Sequence, residues 1–287
     1  MKKTSLQNLV TSGGTPRILL GHVLAVAMMF FPHDVWASLG PVDLGNASGF
    51  AVLAGSGITV AGAVNTTTIT GDIGTYPTLS ITGLGNVVLN GANQTANAGL
   101  MLNSQNDLTT AFNAAAGLSA TLTYAPIYDL GGQTLTSGVY NDPTSFGLTG
   151  VLTLDAQGDP NAVFIIQAGS SLTTASDSSV LLVNGAQACH VFWVVGSSAT
   201  LGTGTEFVGT IMASASITAD TGATVDGRLL AENGAVTLDG NTIARPVSNN
   251  VGAVPEPTTF IAGALLLLPF GPTALRLLRQ KRGTPSV

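Results

Sequence analysis

The sequence predicts an all-β-dominated chain, wound as a solenoid, with a single long α-helix packed alongside. Three observations predict it. From Leu44 onward, short runs rich in Val, Ile and Thr are punctuated by Gly, Asn and Asp; residues 95–117 alone break that pattern with a helical one; and the later runs repeat at about 18 to 20 residues. Thr, Val and Ile suit extended backbone, while Gly and Asn permit tight corners.

The strand runs include "FAVLAGSGITVAG", "GVLTLDAQG", "AVFIIQAG", "HVFWVVG" and "GAVTLDG". In "TANAGLMLNSQNDLTTAFNAAAG", Met101, Leu108, Phe112 and Ala115 fall on one helical face, Asn and Thr fill much of the rest, and Gly117 supplies a stop. The expected helix spans about 95–116, with its apolar stripe against a sheet.

Written as rungs, the later core reads "FIIQAGSSLTTASDSSV", "FWVVGSSATLGTGTEF", "IMASASITADTGATV" and "LLAENGAVTLDGNTI". Aligning the inward residues Leu172, Ala199, Ile217 and Val236 brings Thr173, Thr200, Thr218 and Thr237 into one column, and Leu152-Thr153 extends it one rung earlier. The spacings are 20, 27, 18 and 19 residues; the 27 implies an inserted loop at "NGAQAC". Coils of this length stack their strands ~4.8 Å apart. Ser176, Thr203 and Thr221 make a second column, with Gly240 in the last rung, or Asn241 and Thr242 after a small shift. Ser179, Glu206, Thr224 and Thr242 make a third. Ile217 and Val225 are expected to point inward and Thr218, Thr221 and Thr224 outward, so function belongs to a surface and not to a pocket.

Only 8% of the residues are charged, for a net charge of −6. Between positions 38 and 253 two arginines face thirteen acids, giving −11, which excludes nucleic acid as a partner. Residues 1–37 carry Lys2, Lys3 and Arg17, the apolar run "ILLGHVLAVAMMFF" and a terminal "VWA", the layout of a secretory signal peptide. That run is shorter than the ~20 residues a membrane span needs. The solenoid domain then covers 38–250. In 251–287, Pro255-Glu256-Pro257 precedes an apolar segment and Arg276, Arg279, Lys281 and Arg282. A lone helix with a basic stop-transfer flank would read the same way. The order of parts resembles the PEP-CTERM sorting signal of Gram-negative bacteria. The resemblance implies exosortase-type sorting machinery as a partner, transient membrane association, and an exported protein, extracellular or on the cell surface.

Catalysis finds little to use. Glycoside hydrolysis needs converging acids, yet Asp155, Asp159, Asp177, Glu206 and Asp226 are scattered singly, and His190 is the sole core histidine, read as structural or as a surface residue. "GDIGT" lacks the lysine and spacing of a phosphate loop. "DAQGDPNA" lacks the ligand order of an EF-hand and reads as a corner. Arg228 is expected to pair with Asp226 or Glu232. One cysteine, Cys189, excludes an internal disulfide, and its neighbours "ACHVFWVV" mark a buried thiol. No cofactor or metal signature is present, and the chain reads as a non-enzyme.

The segments "LGNASGFAVLAGSGIT", "GDIGT", "DLTTAFNAAAG", "DLGGQTLTSGVY", "LTGVLTLDAQGDPNAVFIIQ", "GSSLTTASDSSVLLVNGAQACHVFWVVGSSATLGTGTEFVGTI" and "GATVDGRLLAENGAVTLDGNTI" closely resemble the microbial ice-binding proteins, in order over roughly residues 44 to 245. The resemblance implies a discontinuous right-handed β-solenoid beside one long helix, whose first segment completes the solenoid near its C-terminal part. It also implies a monomer that adsorbs to an ice crystal surface through a flat face carrying a loose Thr-Ala/Gly-x-Thr/Asn pattern. Thr218-Ala219-Asp220-Thr221 matches that pattern outright; Thr200 with Thr203, and Thr173 with Ser176, match its outer positions. The expected ice-contacting residues are therefore Thr153, Thr173, Ser176, Thr200, Thr203, Thr218, Thr221, Thr224, Thr237 and Thr242. Glu206, Asp220 and Asp239 would place charge on or near that face. Thr columns also serve strand propensity and cross-rung packing alone. The alternative function is an exported matrix or adhesion protein that binds polysaccharide or acts as a rigid module.

Overall fold

The computed structural model describes residues 39–247, so the expected signal peptide and the whole sorting segment, with Pro255, Glu256 and Pro257, lie outside the described residues. A first coil is made by β1 (Phe50–Ala54), β2 (Gly57–Ala61) and β3 (Thr67–Thr70), and a second by β4 (Asp72–Thr75), β5 (Ile81–Thr82) and β6 (Val87–Asn90). The helix α1 (Ala98–Ala116) follows. Then come β7 (Leu122–Thr123), β8 (Tyr128–Asp129) and β9 (Thr134–Leu135); β10 (Gly138–Asp142), β11 (Phe146–Leu148) and β12 (Val151–Asp155); and β13 (Phe164–Ala168), β14 (Leu172–Thr174) and β15 (Ser179–Val183). The last coils run through β16 (Val191–Val195), β17 (Ala199–Leu201), β18 (Glu206–Ala213), β19 (Ile217–Ala219), β20 (Thr224–Ala231), β21 (Ala235–Asp239) and β22 (Thr242–Ala244).

Every strand pairing is parallel, and each coil gives one strand to each of three faces. The long strands β18 and β20 turn a corner and serve two faces each: Glu206 and Thr224 pair on one, Thr210–Ala213 and Arg228–Ala231 on the next. Gly209 and Gly227 sit at that corner in register. Gly209 has φ +111, and a Cβ on Gly227 would lie 1.8 Å from the Gly209 carbonyl oxygen, so a side chain there would collide with backbone.

Coil order in space differs from order in sequence. β1 lies between β20 and β4, β2 between β21 and β5, and β3 between β22 and β6. The first two coils thus stack on the C-terminal one, and the chain must return to the far end before coil three. Nineteen helical residues reach about 28 Å, close to the ~34 Å that seven coil spacings require. The helix supplies most of that return.

Helix α1 starts at Asn97, whose side chain accepts from the Leu100 amide, and ends at Gly117, close to the expected bounds. Its buried stripe of Met101, Ser104, Gln105, Leu108, Ala111 and Ala115 packs against Leu53, Val139, Ile165, Val194, Met212 and Leu230. This covered face is buried on both sides. Its strands accordingly read as unbroken apolar runs such as "VFWVV". Gln167 is the polar exception: its Nε2 donates to the Ala115 and Leu118 carbonyls at 2.8 and 3.0 Å, satisfying groups the helix end leaves unpaired. The other two faces alternate inward apolar residues with outward ones, polar on one face and mixed on the other, and the interior is filled by side chains including Phe164, Leu172, Trp193, Phe207, Ile217 and Val236.

Two expectations about single residues change. Arg228 is buried and donates to the Ser48 carbonyl and the Thr210 hydroxyl, both at 3.2 Å, and forms no ion pair with Asp226 or Glu232 among the described residues. Burial, with Arg245 nearby, pushes its pKa down to about 10. Cys189 is half-buried, not fully buried, because it lies in a short 3-10 turn (Ala188–His190) between faces and not within a strand. His190 beside it is buried, and its Nδ1 has no hydrogen-bond partner among the described residues.

Candidate functional site

With one face under the helix, two are left to meet a partner. On the first, β14, β17, β19, β21, β2 and β5 stack in register, and their central outward residues are Thr173, Thr200, Thr218, Thr237, Thr59 and Thr82. Gly147 and then Asp129 continue the line at the other end. Each of these threonines is exposed or half-exposed, all but Thr82 sit between buried neighbours such as Ile217 and Ala219 while those of Thr82 are half-buried, and none of the six hydroxyls has a hydrogen-bond partner among the described residues. A β-branched side chain on a fixed strand has little rotamer freedom. The result is a row of methyl and hydroxyl groups repeated every ~4.8 Å on a stiff support.

Serines flank the row on the helix side. Ser145 Oγ accepts from the Ser171 amide, Ser198 Oγ from the Ser216 amide at 3.3 Å, and Ser216 Oγ from the Ala235 amide at 3.2 Å, so the hydroxyls tie each coil to the next. On the opposite side the chain turns a corner, where Thr203 and Thr221 are exposed. The Asp177, Gly204 and Gly222 amides donate to the Thr203, Thr221 and Asp239 carbonyls. Asp239, not the expected Gly240, therefore completes this line. The reason is length: Thr218 to Thr224 takes six residues, Thr237 to Thr242 only five. Ser176 is exposed at the same corner one coil further along.

The structure brings together Thr173, Thr200, Thr218 and Thr237, with Ser176, Thr203 and Thr221 along their edge. It separates the other three. Thr153 pairs with Thr134 and Leu181 on the remaining face, and Gly147 takes its expected place in the row. Both open faces carry an inward apolar residue followed by an outward threonine, so "LT" at 152–153 does not tell the faces apart. Thr224 and Thr242 do stack with Ser179 and Glu206 as aligned, again on the remaining face. That third face is mixed: its outward rows run Val151, Ser179, Glu206, Thr224, Thr242, Thr68 and Val88, and Val208, Asp226, Ala244, Thr70 and Asn90. Glu206 is thus off the threonine face, while Asp220 and Asp239 lie on it. Sequence alignment of later rungs missed Thr59 and Thr82, which precede the helix. Their signal was the same apolar-Thr step in "GSGITV" and "SITG".

Asp129 ends the row with a structural role. Its Oδ1 accepts from the Gly131 and Thr149 amides, both at 2.9 Å, and although burial would raise its pKa, these bonds hold it below the ordinary carboxylate value. No group of three or more His, Cys, Asp or Glu able to hold a metal occurs among the described residues.

A family model described as ice-binding-like matches residues 52–244. An ice-binding protein of Nostoc sp. (strain HG1) is 46% identical over 223 residues, covering 76% of this chain and 81% of its own length. The crystal structure of an ice binding protein from an Antarctic biological consortium is similar with a TM-score of 0.68 at 45% identity, over 73% of this chain and 93% of that one. That of an ice-binding protein from the Antarctic ascomycete Antarctomyces psychrotrophicus gives 0.67 at 44% identity, over 73% of this chain and 100% of that one.

Proposed function

This chain belongs to the ice-binding-like family, which is not enzymatic, and from that premise we propose that it adsorbs to ice through its threonine face. The observation that carries the reading is the unbroken row Thr173, Thr200, Thr218, Thr237, Thr59 and Thr82, with no hydroxyl engaged by the described protein. Methyls at a fixed spacing order the water between them, and hydroxyls join that water by hydrogen bonds. Each contact is weak. Many made at once by a rigid surface make desorption rare, and an adsorbed protein hinders growth of the crystal front. The mixed face lacks this uniformity, since Glu206, Asp226, Val151 and Leu181 interrupt its rows.

The coils are read as right-handed, the hand that parallel crossover connections adopt. Residues 1–37 are read as a secretory signal and 251–287 as a PEP-CTERM-type sorting segment, which together send a monomeric domain outside the cytoplasm, to the cell surface or beyond. Recrystallisation of ice held just below its melting point tests the function. The protein should keep crystals small; coarsening equal to that in albumin would overturn the reading.

A further inference from the structure

We propose that Asp239 sets the edge of the ice-contacting surface by withholding the Thr221 hydroxyl from ice. The inference rests on the reading that the threonine face adsorbs to ice. Thr221 is exposed at the corner of that face, like Thr203 one coil away. Their hydroxyls differ: Thr221 Oγ1 donates to Asp239 Oδ2, whereas the Thr203 hydroxyl has no partner among the described residues, although the Asp177 amide donates to its carbonyl. A hydroxyl whose proton is committed to a carboxylate cannot donate it to an ordered water layer. The carboxylate itself orients nearby waters with their hydrogens inward, which the ice lattice does not match.

The position is local and exceptional. Two residues beyond the first five threonines of the row, Thr173, Thr200, Thr218, Thr237 and Thr59, come Ala175, Gly202, Asp220, Asp239 and Ala61, with Leu84 after Thr82 at the end. Of the first five, three are small and two are charged, and the charged pair lies in adjacent coils, ~4.8 Å apart along the stack. Donation from Thr221 offsets part of the repulsion between them. The backbone at Asp239 does not depend on its side chain. Buried Asn241 holds it, with Oδ1 accepting the Asp239 amide at 2.6 Å and Nδ2 donating to the Asp220 and Ala223 carbonyls at 2.8 and 3.2 Å. Removing the carboxylate therefore frees Thr221 without removing the corner's support.

The test compares Thr221→Val, Asp239→Ala and the double variant with the parent in one recrystallisation assay, with circular dichroism and Tm alongside. Thr221→Val should be silent in the parent background, because its hydroxyl is already committed. Asp239→Ala should act at a roughly twofold lower concentration, as one more row position joins the contact, and adding Thr221→Val should cancel that gain. Loss of activity in Thr221→Val alone, no gain in Asp239→Ala, or a gain that survives in the double variant would each overturn the proposal. Thr218→Tyr in the same assay separates the two levels: if it keeps full activity, the threonine face itself has been misassigned, whatever the corner variants do.

Discussion

Thr218 stands in the middle of its row, with Thr200 on one side and Thr237 on the other. A tyrosine there would lift the surface away from ice by the height of a ring without touching the core, since Thr218 points outward between buried Ile217 and Ala219. Thr218→Tyr should abolish most recrystallisation inhibition at unchanged Tm, whereas Thr242→Tyr, on the mixed face, should leave it intact. Equal loss in both would place the contact surface elsewhere. At the same scale, Asp142 is buried, and its carboxylate accepts from the Thr144 amide at 2.7 Å and the Tyr128 amide at 2.9 Å. Burial would raise its pKa, but these bonds outweigh it and lower the value, as at Asp129. A depressed folded pKa contributes stability that is complete above the unfolded value of about 3.9 and is lost as pH falls through the folded one. Burial raises Glu232, against a hydrogen bond with Thr109, so it acts with the opposite sign. Tm should thus drop below about pH 4, and Asp142→Asn should flatten that drop; an Asn variant with an unchanged acid limb would contradict the assignment. Four of the row's six threonines were legible from spacing. Thr153 was misplaced, because alternation is shared by both open faces and carries no face label.

For single elements, the helix was the most legible feature, since Met101, Leu108 and Ala115 repeat at the helical period and Gly117 stops it, although Phe112, expected on the same face, is only half-buried. What sequence did not supply was its anchor. Gln167 looks like an interruption in "FIIQA", yet its amide is spent on the helix C-terminal carbonyls. Gln167→Ala should cost about 1–3 kcal/mol by leaving those carbonyls unpaired, read as a lower denaturation midpoint, while ice activity per folded molecule stays the same. A midpoint equal to the parent's would show that water replaces the amide. The expected loop "NGAQAC" lies where the 27-residue rung required it, joining β15 to β16.

The described domain is a stack whose N-terminal coils complete its C-terminal end, so its threonine row is assembled from both ends of the domain. Thr237 and Thr59 are neighbours in register although 178 residues separate them. Local periodicity cannot reveal such a neighbour, because the helix and six coils intervene; the family resemblance implied it and the pairing shows it. That row runs without a break from Thr173 to Thr82. Whether it meets ice is read by growing an ice hemisphere slowly in a solution of the fluorescently labelled protein, with labelled albumin as the excluded control. Incorporation of the protein into the ice, lost in Thr218→Tyr and in Thr59→Tyr alike, is the predicted result. Exclusion of a folded, monomeric sample from the growing ice would contradict it.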